Sequence, residues 1–351
     1  MAYISIHPTD HFKPKIYTGN GTAFGSGGNA ITGIGFEPSF TWIKSRGAGE
    51  EHVLTDAVRG TTKIIRTNST AAESTASEGL NTFGSDGFTI GNSDQFNTNS
   101  GTYVSYSWKG GGAGSANSDG SISATVSANA AAGFSIVKYT GTGSAGTIGH
   151  RLRSAPTMII QKNLADTENW QVYHTAFGAT KYMLLNSVNS SSSNTARWND
   201  TAPTASVFSI GTDSSTNGSG EECIAYCFAN VKGFSKHHFY MGNGDANGQY
   251  AYTGFKPAFV MLKNRDDGAS GDEWFMIDSA RSTYNPTGKK VSAHLSNAET
   301  AASWVDLDFL ATGFKIRTDD AGLNEGGDVF LYMAFAQEPL VTSTGLAATA
   351  N

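Results

Sequence analysis

Cysteine is nearly missing from this sequence: Cys223 and Cys227 are its only two. At that spacing on an extended strand their Cα atoms stand roughly 13 Å apart, beyond the reach of a disulfide. They are expected to be free thiols, in a chain folded in a reducing compartment. Long apolar runs are missing as well. No stretch approaches the ~18–20 residues of a membrane-spanning helix, so membrane insertion is not expected. The segment from Met1 to Lys15 carries His7, Asp10, His11 and Lys13 and lacks the apolar centre of a secretory signal. Charge is sparse. Asp, Glu, Lys and Arg make up 15% of the residues, against about a quarter in an average domain. The net charge is -6, with no block of like sign. A nucleic-acid surface needs clustered Lys and Arg to displace counterions from phosphates, so no nucleic-acid partner is expected.

What is present points to strands and turns. The 351 residues include 42 glycines, with abundant Ser, Thr and Asn, which suits many turns between short strands. Hydrophobic residues at 38% and aromatics at 11% are enough to build cores, and the length allows two or three of them.

Compared with itself, the chain repeats. Three segments open with Tyr-x-Gly-x-Gly, at Tyr17–Gly21, Tyr139–Gly143 and Tyr240–Gly244. Each continues to a proline and a strand-like run ending in lysine at one fixed spacing: Pro38 to Lys44, Pro156 to Lys162 and Pro257 to Lys263. Proline suits the start of a strand, where no ladder donor is needed. His52–Gly60 then aligns without gaps on Trp170–Gly178 and Trp274–Ser282. Gly87–Gly91, Val207–Gly211 and Gly313–Arg317 follow, and the copies close with Tyr103–Trp108, Cys223–Phe228 and Phe330–Phe335. Closing strands apolar on both faces belong in the middle of a layered structure.

The expected fold is therefore all-β: three homologous antiparallel β-sandwich or jelly-roll-like units of about 100 residues in tandem. The expected boundaries are an N-terminal segment 1–16, unit one at 17–109, a Gly/Ser linker 110–117, unit two at 118–236, unit three at 237–339 and a C-terminal tail 340–351.

Those blocks also carry a resemblance. Tyr17-Thr-Gly-Asn-Gly21, the run Gly35-Phe-x-Pro-x-Phe-x-Trp-Ile-Lys44, Asp56-Ala-Val-Arg-Gly60, Asp86-Gly-Phe-Thr-Ile-Gly91 and Tyr103-Val-x-Tyr-x-Trp-Lys109 are similar to repeat proteins of tailed phages that infect marine bacteria. Ile224–Phe228, Gly233–Lys236 and Tyr332–Ala336 resemble the same family. The resemblance covers about Tyr17 to Pro339. It implies a virion component, of the kind called tail-fibre or lectin-like, made in the host cytoplasm and released with the particle. Partners implied are other virion proteins.

Candidate chemistry is thin. His52 with Asp56, His174, and Asp278 with Arg281 are the nearest approach to acid–base pairs. The alignment replaces His52 by Trp170 and Trp274, and Asp56 by His174, while Asp56–Arg59 recurs as Asp278–Arg281. That pattern favours structural ion pairs at turns. His237 and His238, adjacent on a strand, point to opposite faces. No Cys/His spacing suits zinc, and no serine sits in a nucleophile elbow. Catalytic, cofactor and metal residues are expected to be none. Two acidic loops, Asp266-Asp267 with Asp272-Glu273 and Asp319-Asp320 with Glu325 and Asp328, read as solvated turns, with calcium as the other possibility. For a host surface glycan, the candidate contacts are Trp198, Asn199 and Asp200 in one polar loop and Trp304 in another. Asn186–Asn194 reads as a mobile loop tip. A homo-oligomer is expected, with the apolar run Phe330–Met333 and the tail Leu340–Asn351 as contact candidates.

Overall fold

The computed structural model describes residues 6–269, 271–301 and 303–338, and every absence noted below refers to these. It is almost wholly β, with antiparallel pairing throughout its named strands.

One strand order occurs three times. The first sheet runs Phe12–Thr18, Thr102–Trp108, Phe40–Ser45, Val53–Asp56, Gly60–Arg66, Ser74–Thr75. The third follows it, as Ser235–Met241, Val329–Ala336, Pro257–Asn264, Phe275–Asp278, Lys289–Ser292, Thr300–Ala301. The second has the same order from Phe134–Thr140 through Glu222–Phe228, Met158–Asn163, Gln171–His174 and Lys181–Leu184 to Ser192–Ser193. It adds two strands, Ser115–Asn117 and Ala124–Asn129, outside its opening strand. Each unit also has a smaller sheet: Asn29–Ile31, Gly87–Ile90 and Leu80–Gly84; Gly146–Gly149 with Val207–Ile210; and Tyr250–Tyr252, Gly313–Ile316 and Leu307–Leu310.

Period-two alternation then divides the cores. On the strand Phe40–Ser45, Ile43 packs with Ile31, Phe88 and Ile90 of its own small sheet. Phe40 and Trp42 face the other way, into a core shared with Phe134, Ile160 and Tyr226 of unit two and Phe259, Met261 and Met333 of unit three. Each large sheet is thus the middle of a sandwich, buried on both faces, and this is why its central strands read as apolar throughout. The Phe40 ring stacks on Tyr226 at 4.3 Å and Phe12 on Phe335 at 4.6 Å, so aromatic packing ties unit one to both others.

Several expected boundaries move. The first strand starts at Phe12, so part of the expected N-terminal segment belongs to unit one. The linker 110–117 ends in a strand, because Ser115–Asn117 pairs with Ala124–Asn129. Unit three opens at Ser235. The run Phe330–Met333 is no contact surface: all four side chains are at most 3% exposed, because both faces of that strand are covered. The tail 340–351 lies outside the described residues.

The Tyr-x-Gly-x-Gly repeat has one physical cause in all three units. The tyrosine hydroxyl donates to a backbone carbonyl of a one-turn helix, Tyr17 to Phe96 at 2.8 Å, Tyr139 to Thr216 at 2.6 Å and Tyr240 to Leu323 at 2.6 Å. The next residue of each helix is a fully buried asparagine whose Oδ1 accepts from the loop: Asn97 from Asn20 N, Asn217 from Thr142 N and Asn324 from Asn243 N. A Cβ on the first glycine would meet a carbonyl oxygen at 2.1–2.3 Å in every copy. The second glycine, Gly21, Gly143 or Gly244, has φ of +66°, +70° or +66°, a region L side chains rarely adopt.

Candidate functional site

The ionisable residues singled out by sequence meet where the units join. In unit one, Asp56 ends a strand and its Oδ1 accepts from Val58 N and Arg59 N, closing a tight turn. Its Oδ2 takes the Arg59 guanidinium at 2.5 Å and the Tyr226 hydroxyl of unit two at 2.8 Å. Arg59 also reaches Glu73 at 3.2 Å and the Leu54 carbonyl at 3.0 Å. The joint of unit three with unit one repeats this arrangement with Asp278, Arg281, Glu299 and Tyr106, and Arg46 of unit one adds a bond to Glu299 at 2.9 Å. These pairs, expected from the sequence as structural ion pairs at turns, are buried completely. Such burial is tolerated because every partner is charged or hydrogen-bonded. Burial raises the Tyr106 and Tyr226 pKa well above the ordinary value, so each hydroxyl keeps the proton it donates.

The joint of unit two with unit three breaks the pattern. His174 replaces the aspartate, and its Nδ1 accepts from Ala176 N at 3.0 Å, in the role of an Asp56 oxygen. Phe177 stands where the arginine would, Ser191 where the glutamate would, and Met333 where the tyrosine would. Backbone bonds across the joints are nonetheless alike: Glu73 N to Leu164 O, Ser191 N to Arg265 O and Glu299 N to Arg46 O, at 2.8–2.9 Å. Trp170 Nε1 donates to Arg66 O at 2.8 Å and Trp274 Nε1 to Leu184 O at 2.9 Å. The three units therefore close into a ring, with unit three returning to unit one.

His52 occupies the tryptophan position in unit one. Trp42 Nε1 donates to its Nδ1 at 2.9 Å, and burial, followed by the charge of Lys44, holds its pKa well below the ordinary value. A histidine kept neutral and engaged in the core is an architectural one.

Three lysines ring one end of the shared core. Lys44 donates to the carbonyls of Ser45 and of Ser296 in unit three, both at 2.9 Å. Lys162 donates to Asn163 O at 2.6 Å and Lys263 to Asn264 O at 2.8 Å. Burial lowers all three to about 8, since a desolvated ammonium is the disfavoured form. Within the core, Phe40, Trp108, Tyr226, Phe228, Phe259 and Met333 line an apolar void of about 10 Å³, space for one water at most.

The family model for a domain of unknown function, DUF7483, matches residues 7–339. The chain belongs to this family. No curated protein and no solved structure matches it. The DUF7483 match spans all three units, so the whole ring is what the family model describes.

The glycan candidates in this DUF7483 chain fare unequally. Trp198 is buried, ending a one-turn helix and packing edge-on to Tyr173 at 5.9 Å. It cannot stack on a sugar, because an indole in a polar loop here serves the loop's own core. Asn199 and Asp200 are exposed beside it, both at positive φ. Trp304 is 38% exposed, with Lys290 Nζ 4.2 Å from its ring. The structure does not bring Trp304 together with the Trp198 loop, since Trp198 packs in unit two and Trp304 against Phe275 of unit three. Sequence reasoning missed the exposed aromatics of unit three, Tyr252 at 60% and Tyr284 at 85%.

The segment 186–194, expected to be a mobile tip, is pinned by Asn186 Oδ1, which accepts from Trp170 N at 3.0 Å, and by Ser191 at the joint. In the acidic loops, Asp266 is taken by Arg265 and Glu273 by Lys290, while Asp320 caps a helix and Asp328 accepts from Asn264. No group of three or more metal-ligating side chains occurs among the described residues. No described helix is long and apolar enough to cross a membrane.

Proposed function

We propose that this chain is a non-enzymatic structural protein of a phage virion, displayed as a head, neck or tail appendage or decoration. One observation carries the reading: the acid and base groups with the best claim to chemistry are consumed in holding three units together. Asp56 and Asp278 each bind an arginine of their own unit and a tyrosine of the next. The resemblance of the repeat blocks to tailed-phage proteins supplies the location. The reading includes repeated copies on a particle. The opening strands Phe12–Thr18 and Ser235–Met241 each end their sheet, and these edges suit contact with a neighbour. Mass spectrometry and imaging of purified virions test it. Stoichiometric recovery at one symmetric position is expected; absence of the chain from intact particles overturns it.

A second reading, an adhesin for host surface glycans, is favoured by the exposed rings of Tyr252, Tyr284 and Trp304 on unit three. Glycan-array binding lost on Tyr252→Ala or Trp304→Ala is its expected signature. No binding by the intact chain rejects it.

A further inference from the structure

We infer that the joint between units two and three is an acid-labile seam, built to loosen at a pH that leaves the other two joints closed. The seam lacks the Asp–Arg–Glu–Tyr cluster found at both other joints, and in its place it buries two imidazoles. His174 is 1% exposed and His237 is 2% exposed. His237 stands where unit two has Ile136 and unit one has Pro14, opposite Met333, Tyr226 and Tyr106 respectively. It lies between the rings of Phe228 and Phe335, at 5.7 and 5.8 Å, with Nδ1 held by Thr157 Oγ1 at 3.0 Å. His174 uses Nδ1 to accept from Ala176 N. The Nε2 atoms of both rings are buried without a hydrogen-bond partner.

Either ring, once doubly protonated, therefore carries an Nε2–H with no acceptor in apolar surroundings, and on His174 the second proton goes to Nδ1, where it displaces the bond from Ala176 N. The groups facing the pair do not help. His174 and His237 repel one another when charged, His238 acts on His174, and Lys236 acts on His238. On the same turn, Arg265 reaches the Ala176 carbonyl at 3.4 Å, and its carboxylate partner Asp266 is already engaged by that guanidinium. Burial, followed by His238 for His174 and by His174 for His237, lowers both histidines from 6.5 to about 3. A base whose folded pKa is depressed stabilises the fold above its unfolded value. That contribution is lost as pH falls from 6.5 towards 3. Other buried histidines, His52 and His294, lie at the joint of units three and one, where the Asp278–Arg281–Glu299 cluster and Tyr106 hold the units together.

Hydrogen exchange read by mass spectrometry on the wild-type chain, comparing equivalent segments within one sample, tests this directly. Between about pH 7.5 and about pH 4.5, protection in 171–178 and 235–241, corrected for the intrinsic exchange rate at each pH, should fall at least about tenfold relative to 53–60 and 275–282. Equal loss of protection at all three joints, or earlier loss at 53–60 or 275–282, overturns the inference. A variant carrying His174→Asp, Phe177→Arg, Met333→Tyr and His237→Ile should lose the selective response. If it folds and keeps that response, the inference fails; if it does not fold, the wild-type comparison decides.

Discussion

Tyr226 donates to Asp56 Oδ2 at 2.8 Å across the boundary of two units, and the bond is completely buried at its acceptor. The tyrosine sits in a closing strand and the aspartate at a turn 170 residues away, so neither local sequence nor spacing announces the pair. Its counterpart, Tyr106 on Asp278, has the same length and spans 172 residues.

Removing one partner of such a cluster leaves a buried charge uncompensated. Asp56→Ala is expected to destabilise the fold by about 3–5 kcal/mol, because Arg59 stays buried without its carboxylate. Tyr226→Phe is expected to cost about 1.5–3 kcal/mol, the range for a hydrogen bond to a charged group. Urea denaturation followed by tryptophan fluorescence reads both. An Asp56→Ala loss no larger than that of Tyr226→Phe would contradict the burial argument.

The core lysines predict an alkaline gain in stability. Their folded pKa of about 8 lies below the ordinary 10.5, so above pH 8 the unfolded chain holds more protons than the folded one and stability rises with pH. The rise should fade near pH 10, where unfolded tyrosines ionise while burial keeps Tyr106 and Tyr226 protonated. Denaturation midpoints of wild type and Lys162→Met, taken from pH 7 to 10, should show a shallower slope in the variant.

Cys223 and Cys227 should resist thiol reagents in the native protein and react on unfolding. Both are buried and free, and burial pushes the Cys223 thiol up to about 12, which leaves almost no thiolate to attack. A native-state labelling rate like that of a free thiol would refute this.

Asn217→Ala should loosen the loop after Tyr139. The side chain donates to the Ser144 and Gly211 carbonyls and accepts from Thr142 N, so its loss strands buried groups at about 1–3 kcal/mol. Hydrogen exchange should rise around 141–146 and remain unchanged at the matching turns near Gly21 and Gly244.

The all-β class was legible because period two and turn residues act locally. The glycines of Tyr-x-Gly-x-Gly were visible as a motif for the same reason, since each is fixed by a turn. The shared core was not visible. Phe40 and Phe259 look like the core of their own units, and only the closure of the ring shows that they face a common centre. Trp198 is lost as a glycan contact because it packs beneath its loop against Tyr173, and the polarity of its neighbours in sequence says nothing about that packing. The sequence did show that Asp56 becomes His174. Its meaning depended on Phe177, Ser191 and Met333 changing with it, and those positions meet only in three dimensions.

Closure of the ring within one chain has a kinetic and an evolutionary side. Units joined covalently meet at a high effective concentration, so the ring forms by a first-order process and does not dissolve on dilution. A ring of three identical chains must also accept every substitution three times over. Here each joint is encoded separately, so one boundary can give up its ion pairs while its two counterparts keep theirs.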